Sequence, residues 1–360
     1  VLSYFETRTR IIALVAIGAS LTALVLRIAG AGGVEIFAAS AVGLAGLAVM
    51  VGEGTDQLGR RLGPSATGVL QSALGNLPEF FIGIFALRAG LLDVVRAALV
   101  GSILANTLLV LGLAFLVGGL RHGPQKFGAD QTKMMSTLLV LAVAALAIPT
   151  MAAGPGGPEH GHETELSVIV SIVLLTVFAA SVPFSIGRGP AVGSLEGASE
   201  NEQAWPMALA VGTLLAAGIG AAFVSDWFVD ALKPAMSTLG MSDTFAGLVV
   251  VAIAGNAVEN VVGIQAMLAD KGDLAISVIL NSSLQVALAL VPVLVIASLV
   301  MGGATLTLVV SPLLVAGLAL ATLLAALVVI DGESTWLEGL ALIGLYVILA
   351  ASVWWGGPVG

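Results

Sequence analysis

Gly75-Asn76-Leu77-Pro78-Glu79 returns, shifted by 180 residues, as Gly255-Asn256-Ala257-Val258-Glu259, and the same shift pairs Gly83 with Gly263, Ile84 with Ile264, Ala86 with Ala266, Asp93 with Asp273, Ser102 with Ser282 and Leu104 with Leu284. The chain is internally duplicated. Each copy lies within a long apolar stretch, so each places a carboxyl, Glu79 or Glu259, where hydrocarbon is expected. A charged group at the centre of a spanning helix costs at least about 2.5 kcal/mol even on the lenient insertion scale, and function is therefore the default reading of both. The alternative is a pair of protonated carboxyls that only hold helices together.

The surrounding sequence fits that setting. Of 360 residues, 58% are hydrophobic and 10% charged, and the mean hydropathy is +1.09, whereas an average soluble domain carries roughly 25% charged residues. Apolar stretches recur at roughly 11–30, 33–53, 67–88, 93–119, 133–153, 165–188, 205–226, 243–270, 273–300, 304–330 and 335–356. This predicts an all-α polytopic membrane protein with about eleven transmembrane helices. Arg8 and Arg10 before the apolar run Ile11 to Ile28 resemble the start of a signal peptide, but the run is long and more spans follow, so it reads as a retained first helix. With no cysteine and only His122, His160 and His162, thiolate sites and thiol nucleophiles are excluded and zinc-type chemistry has little to work with. The net charge of -9 leaves no basic patch for nucleic acid. No Ser-His or metal-His arrangement lies within the spans, so an intramembrane hydrolase is a poor fit.

The motifs fall on the third and eighth spans. An odd separation of five makes the two helices run in opposite directions, which predicts two inverted five-helix repeats after an extra N-terminal helix, with the site at their interface near the midplane. The expected divisions are 1–32 for the extra helix, 33–188 for the first repeat, 189–204 for an acidic linker and 205–360 for the second repeat. With a cytoplasmic N-terminus, the inner segments hold Arg8, Arg10, Arg60, Arg61, Arg121, Lys126, Lys133, Arg188 and Lys271, against Arg27, Arg88, Arg96 and Lys233 outside. That bias favours N-terminus in and C-terminus out. The loop Gly154 to Glu163 is turn-rich and falls outside. There Glu159, His160, His162 and Glu163 have metal-ligand chemistry, but a flexible Gly/Pro segment does not preorganise them. The inner linker carries Glu196, Glu200 and Glu202 without a basic partner, and is either a solvated hinge or a regulatory cation sensor.

Gly75 and Gly255 loosen the helix ahead of each glutamate, and Asn76 and Asn256 add amide oxygens. Pro78 removes a backbone donor in the first copy, so carbonyl oxygens near the carboxylates become available to an ion. The next helix of each half supplies Ser102 and Asn106, four apart, and Ser282 and Gln285, three apart, with Asn281 and Ser283 beside them. Each pair shares a helix face, suited to interhelical hydrogen bonds or to an ion pathway. Every candidate ligand is an oxygen, the set of a hard cation, and two carboxylates balance a divalent ion such as calcium. Magnesium, which prefers a tight octahedron, suits this set less well, and manganese stays an open alternative. No cofactor is called for.

At these residues the sequence resembles the calcium/proton exchanger (CAX) family of the cation/calcium antiporter superfamily. The likeness runs through Gly52-Glu53-Gly54-Thr55-Asp56-Gln57-Leu58, the first motif, Phe85-Ala86-Leu87-Arg88, Gly101-Ser102-Ile103-Leu104-Ala105-Asn106-Thr107-Leu108, the second motif and Ser282-Ser283-Leu284-Gln285. It covers nearly the whole chain. It implies eleven helices, inverted repeats, and exchange of Ca2+ for H+ at the paired glutamates, with Ca2+, H+ and membrane lipid as partners and a second copy in a homo-oligomer admitted. Leu77-Pro78 stand where the family often has Ala-Thr, Asn260 where it often has His, and Asn281 where it usually has Gly. The acidic stretch Glu196 to Glu202 is similar in place to the acidic helix of microbial members. Rival readings are a sodium/calcium exchanger, a transporter of another divalent cation such as Mn2+, and a membrane channel or scaffold with a structural carboxyl pair. Reporter fusions test the topology: the C-terminus and the loop around Gly156 are expected outside the cytoplasm, and a cytoplasmic signal from either breaks the eleven-span arrangement and the opposed orientation of the motifs.

Overall fold

The computed structural model describes residues 5–62, 70, 74–154, 157, 161–186 and 205–355, the side chains of 183–186 excepted. Helices dominate. They are α1 (Thr7–Ile28), α2 (Gly33–Leu62), α3 (Leu77–Arg88), α4 (Leu92–His122), α5 (Ala129–Ala152), α6 (Glu163–Ile186) and α7 (Met207–Leu239). After them come α8 (Asp243–Gly255), α9 (Ala257–Leu268), α10 (Gly272–Met301), α11 (Pro312–Val329) and α12 (Trp336–Trp354). Among the described residues nine are each long and apolar enough to cross a membrane, and α8 with α9 form a further, broken span bent by 62°. The chain is an all-α polytopic membrane protein, and its outer surface agrees: Leu14, Leu120, Ile28 and Val300 are exposed to 71%, 68%, 78% and 85%. Only lipid makes such an apolar exterior stable.

Three expected spans end elsewhere, each for a local reason. Helix α2 runs past Val51 into the polar stretch 53–62 because side chains close its turns: Thr55 donates to the Val51 carbonyl, Gln57 to Glu53 and Arg60 to Asp56. Helix α7 continues from Asp226 to Leu239, through Pro234. The stretch 302–311 is not helical at all. Its backbone is held by hydroxyls and one arginine: Leu306 N–H donates to Ser298, Leu308 N–H to Ser167, Val310 N–H to Thr150, and Arg96 to the Thr307 carbonyl. Non-helical backbone survives beside lipid only with such internal partners.

The chain divides into two compact units. The first takes its described residues from 1–89, 182–241 and 253–258. Here α2 and α7 lie antiparallel, with Gly33 against Pro234, the Phe37 ring stacked 4.8 Å from that of Phe228, Gly220 against Leu47 and Gly54 against Leu214. Helix α1 rests on α2 through small residues; a Cβ on Gly43 would lie 2.7 Å from the Ser20 hydroxyl, and one on Gly46 2.7 Å from the Ala16 methyl. This is how membrane helices approach closely without a hydrophobic drive. Helix α3 packs on α7, Leu77 against Gly218.

The second unit draws on 90–181, 242–252 and 259–360. Helix α4 is its centre. Gly101 seats against the Leu248 backbone and Gly247 against the Val94 carbonyl, while Gly112 and Gly339 bring α4 and α12 together backbone to backbone. A two-stranded ribbon, Gln125–Lys126 with Glu333–Ser334, ties the loop after α4 to the turn before α12.

Elements recur at the sequence offset. Leu77–Arg88 maps onto Ala257–Leu268 end to end, α4 and α10 begin at Leu92 and Gly272, and each contains one π-helical turn, Ala105–Val110 and Val286–Leu290. Close packing at Gly101 supplies a test. Gly101→Ala forces a methyl into the Leu248 backbone and is expected to cost about 1–3 kcal/mol, as overpacking does, read as a lower thermal midpoint in detergent by tryptophan fluorescence. Gly18→Ala, where no atom lies within 4 Å of the added carbon, is expected to hold the midpoint or raise it; equal behaviour of the two would refute the packing account.

Candidate functional site

Both glutamates begin helices. Asn76 forms the turn before α3 and Asn256 the break between α8 and α9, so Glu79 and Glu259 each stand in the first turn of a twelve-residue helix. The partial positive charge of a helix N-terminus favours a carboxylate there and offsets part of the cost of burial. Both are buried, at 7% and 8% exposure, as are Asn76 at 9% and Asn256 at 0%. The break between α8 and α9 forms without a proline, while in the first copy Pro78 stands in the opening turn of α3, where its missing N–H would have no helical partner in any case.

In the first unit, Gly255 explains its own identity. A Cβ there would stand 2.7 Å from Glu79 Cγ and 3.3 Å from its Oε1, so the Glu79 side chain lies directly over the glycine of the other motif. Three residues on, Val258 fills the space under Gly52 of α2, whose Cβ would be 3.0 Å from its methyl. Close approach is thus one thing this glycine provides, at the residue where α8 ends.

In the second unit, Asn106 Nδ2 donates to Ser282 Oγ at 2.9 Å, and the Ser282 hydroxyl donates in turn to the Glu259 carboxyl. One serine thus joins α4, α10 and α9. Asn106 lies on the π-turn of α4, and Gln285 immediately precedes that of α10; such turns re-aim side chains and gather at functional sites. Glu259 Oε2 is shielded from solvent and has no hydrogen-bond partner among the described residues. A bound cation or a proton would satisfy it. Ser102 and Gln285 are buried at 3% and 6%. Ser283 instead turns its hydroxyl to the Ile279 carbonyl of its own helix.

Other expected residues fall apart from these. Glu196, Glu200 and Glu202 lie outside the described residues, as do Glu159 and His160. In the same loop His162 is 4.0 Å from Glu165, and Glu163 accepts from Gly161 N–H. Among the described residues no three His, Cys, Asp or Glu side chains gather. Asn260 keeps its amide oxygen out of solvent with no partner among the described residues, and Asn281 is half-buried. What sequence reasoning missed is the end of α2: Gln57 accepts from Trp205 N–H at 3.1 Å, and Arg61 donates to the Trp205 carbonyl. The spacing of Glu53, Asp56, Gln57 and Arg60 advertised a polar helix end, but nothing in the sequence pointed to Trp205.

A broken span in a polytopic membrane protein, with buried carboxylates in the first turns of two repeated helices and oxygen donors beside them, is the build of a secondary transporter. The sequence model described as sodium/calcium exchanger protein matches residues 33–187 and 209–355. The chain belongs to that family. A Ca2+/H+ antiporter of Synechocystis sp. is 33% identical over 342 residues, 89% of this chain and 91% of that protein. The Ca2+/H+ antiporter ChaA of Bacillus subtilis is 34% identical over 320 residues, 88% of this chain and 90% of its own. Among solved structures, native YfkE superposes with a TM-score of 0.82 at 29% identity, covering 95% of this chain and 99% of that one.

The Glu79–Gly255 approach yields a prediction. Gly255→Ala displaces the carboxyl and is expected to lower cation transport by about tenfold to a hundredfold, the scale on which small misplacements act, while Gly212→Ala, with open space around it, leaves transport unchanged. Cation flux in proteoliposomes carrying equal amounts of folded protein measures both; normal flux in Gly255→Ala shows that the contact does not matter.

Proposed function

We propose that this chain is a secondary active antiporter that exchanges Ca2+ for H+ by alternating access, with Glu79 and Glu259 binding the two cargoes in turn. The observation that carries this is the equivalence of the two carboxylates: each is buried, each opens a half-helix, and each follows a Gly-Asn turn. The names of the relatives support calcium and protons as the cargo.

Coupling then follows from electrostatics. Two bare carboxylates in a low-dielectric site are disfavoured by desolvation and by mutual repulsion, so the empty, doubly charged site does not cross readily. Calcium neutralises it, or protons do. Because the same groups hold either, loading one expels the other, and a proton gradient worth about 1.4 kcal/mol per pH unit per proton drives calcium uphill. Calcium takes 6 to 8 oxygens; beyond the carboxylates these come from Asn76 and Asn256, from carbonyls at Gly75 and Gly255, and from water. A site so rich in neutral ligands suits an ion that must be released. Ser102, Asn106, Ser282 and Gln285 line the pathway or fix the carboxylates, while Ser283, engaged with Ile279, serves it least. Glu196, Glu200 and Glu202 act as a regulatory cation sensor on the cytoplasmic side, with the N-terminus in and the C-terminus out.

Gln substitution separates this from a structural pair. Glu79→Gln and Glu259→Gln keep size and hydrogen bonding but lose charge. Each is expected to abolish calcium uptake driven by a pH gradient in proteoliposomes while the protein inserts and folds. Near-normal flux in either variant defeats the two-glutamate mechanism, and flux driven by a sodium gradient alone points to sodium/calcium exchange.

A further inference from the structure

Helix α9 carries Glu259 in its first turn, and its far end is tied down as well. A helix leaves its last carbonyls without partners of its own. After Leu268 the backbone folds back: Ala269 N–H donates to Gln265, Asp270 N–H to Met267 and Lys271 N–H to Ala266. The Leu268 carbonyl takes its hydrogen bond from the ring of His122, the last residue of α4, at 3.0 Å. A carbonyl only accepts, so Nε2 carries the hydrogen of this bond.

The donor stands on a fixed backbone although its ring is exposed. Gly123 turns the chain at φ 84° and returns its N–H to the Gly119 carbonyl. Gln125, 2% exposed, donates to the Gly123 carbonyl at 2.9 Å and pairs with Ser334 in the ribbon. Further contacts lie along the same two helices. Gly118 of α4, one turn before His122, gives its space to the buried Met267 side chain. Gly263 of α9 lies against α10 and α4, where a Cβ would stand 2.8 Å from Ile279 and 3.7 Å from Val110. Asn106 reaches Glu259 through Ser282. Helix α9 is therefore laid against α4 from its carboxylate to its last carbonyl.

We propose that His122 is a positioning residue for Glu259: its bond to Leu268 fixes the depth and rotation of α9 on α4, and with them the place of the carboxylate. His122 touches neither the carboxylate nor a cation. It acts through the helix, whose twelve residues carry a shift at one end to the other, and a ligand is only as well placed as the element that supports it.

This rests on Glu259 binding the cation, as proposed above, and two measurements keep the failures apart. His122→Gln retains a side-chain N–H of similar reach, and His122→Leu has none. In proteoliposomes the Leu variant is expected to raise the calcium concentration that half-saturates uptake about three- to tenfold, the scale of one hydrogen bond. The Gln variant is expected to restore it, and Arg121→Leu, also exposed and one residue away, to match the wild type. Amide hydrogen exchange, followed by mass spectrometry, is expected to quicken in α9 in His122→Leu alone. Wild-type half-saturation or wild-type exchange in the Leu variant, or a Gln variant as impaired as the Leu, overturns the positioning role. Wild-type protein that takes up no calcium overturns the antiport reading instead, and unchanged α9 exchange in His122→Leu then still overturns the mooring of the helix.

Discussion

The helix break in front of a buried carboxylate is the constraint from which the rest follows. In hydrocarbon an ionisable side chain needs compensation and an interrupted helix needs partners for its backbone. Here the two requirements meet. Turning the chain at Asn76 and Asn256 sets Glu79 and Glu259 at helix N-termini, where the helix dipole favours a negative charge. The Glu79 side chain can lie against the opposite motif only because Gly255 has no side chain. Ser282, oriented by Asn106, holds Glu259.

Elsewhere the same constraint is met by different means. The non-helical stretch 302–311 survives because Ser298, Ser167, Thr150 and Arg96 accept from or donate to its backbone. Glycines at Gly101, Gly247, Gly112 and Gly339 let helices touch at the backbone, replacing the hydrophobic drive that lipid removes. The π-turns of α4 and α10 shift one side of each helix beside the polar groups, and Asn106 rides on one of them.

Much of this was legible in the sequence. Apolar runs of spanning length located nearly every helix, because hydropathy is a local property and the membrane imposes one length on all of them. The repeat located both glutamates. What escaped notice depends on contacts between distant residues. The last turn of helix α2 is held by Trp205, 148 residues from Gln57. The repeat had singled out Ser282, the counterpart of Ser102, and its hydroxyl meets the carboxylate, while that of the neighbouring Ser283 turns to its own helix.

Divergence between the copies shows what the duplication preserves. Gly90 and Asp270 occupy equivalent turns, and both take the left-handed conformation, φ 72° and 60°. Asp tolerates this at a cost of about 1–2 kcal/mol, so the backbone path has been kept where the residue best suited to it has not. Pro78 corresponds to Val258 across the repeat, and in both copies a twelve-residue helix begins directly after the Gly-Asn pair. Side chains off the motif are free to differ: Asn106 corresponds to Val286, and Gln285 to Ala105. The repeated element is therefore a backbone geometry with a carboxylate at its start. Around that shared start the surroundings differ: Ser282 donates to Glu259, and the Glu79 side chain lies over Gly255.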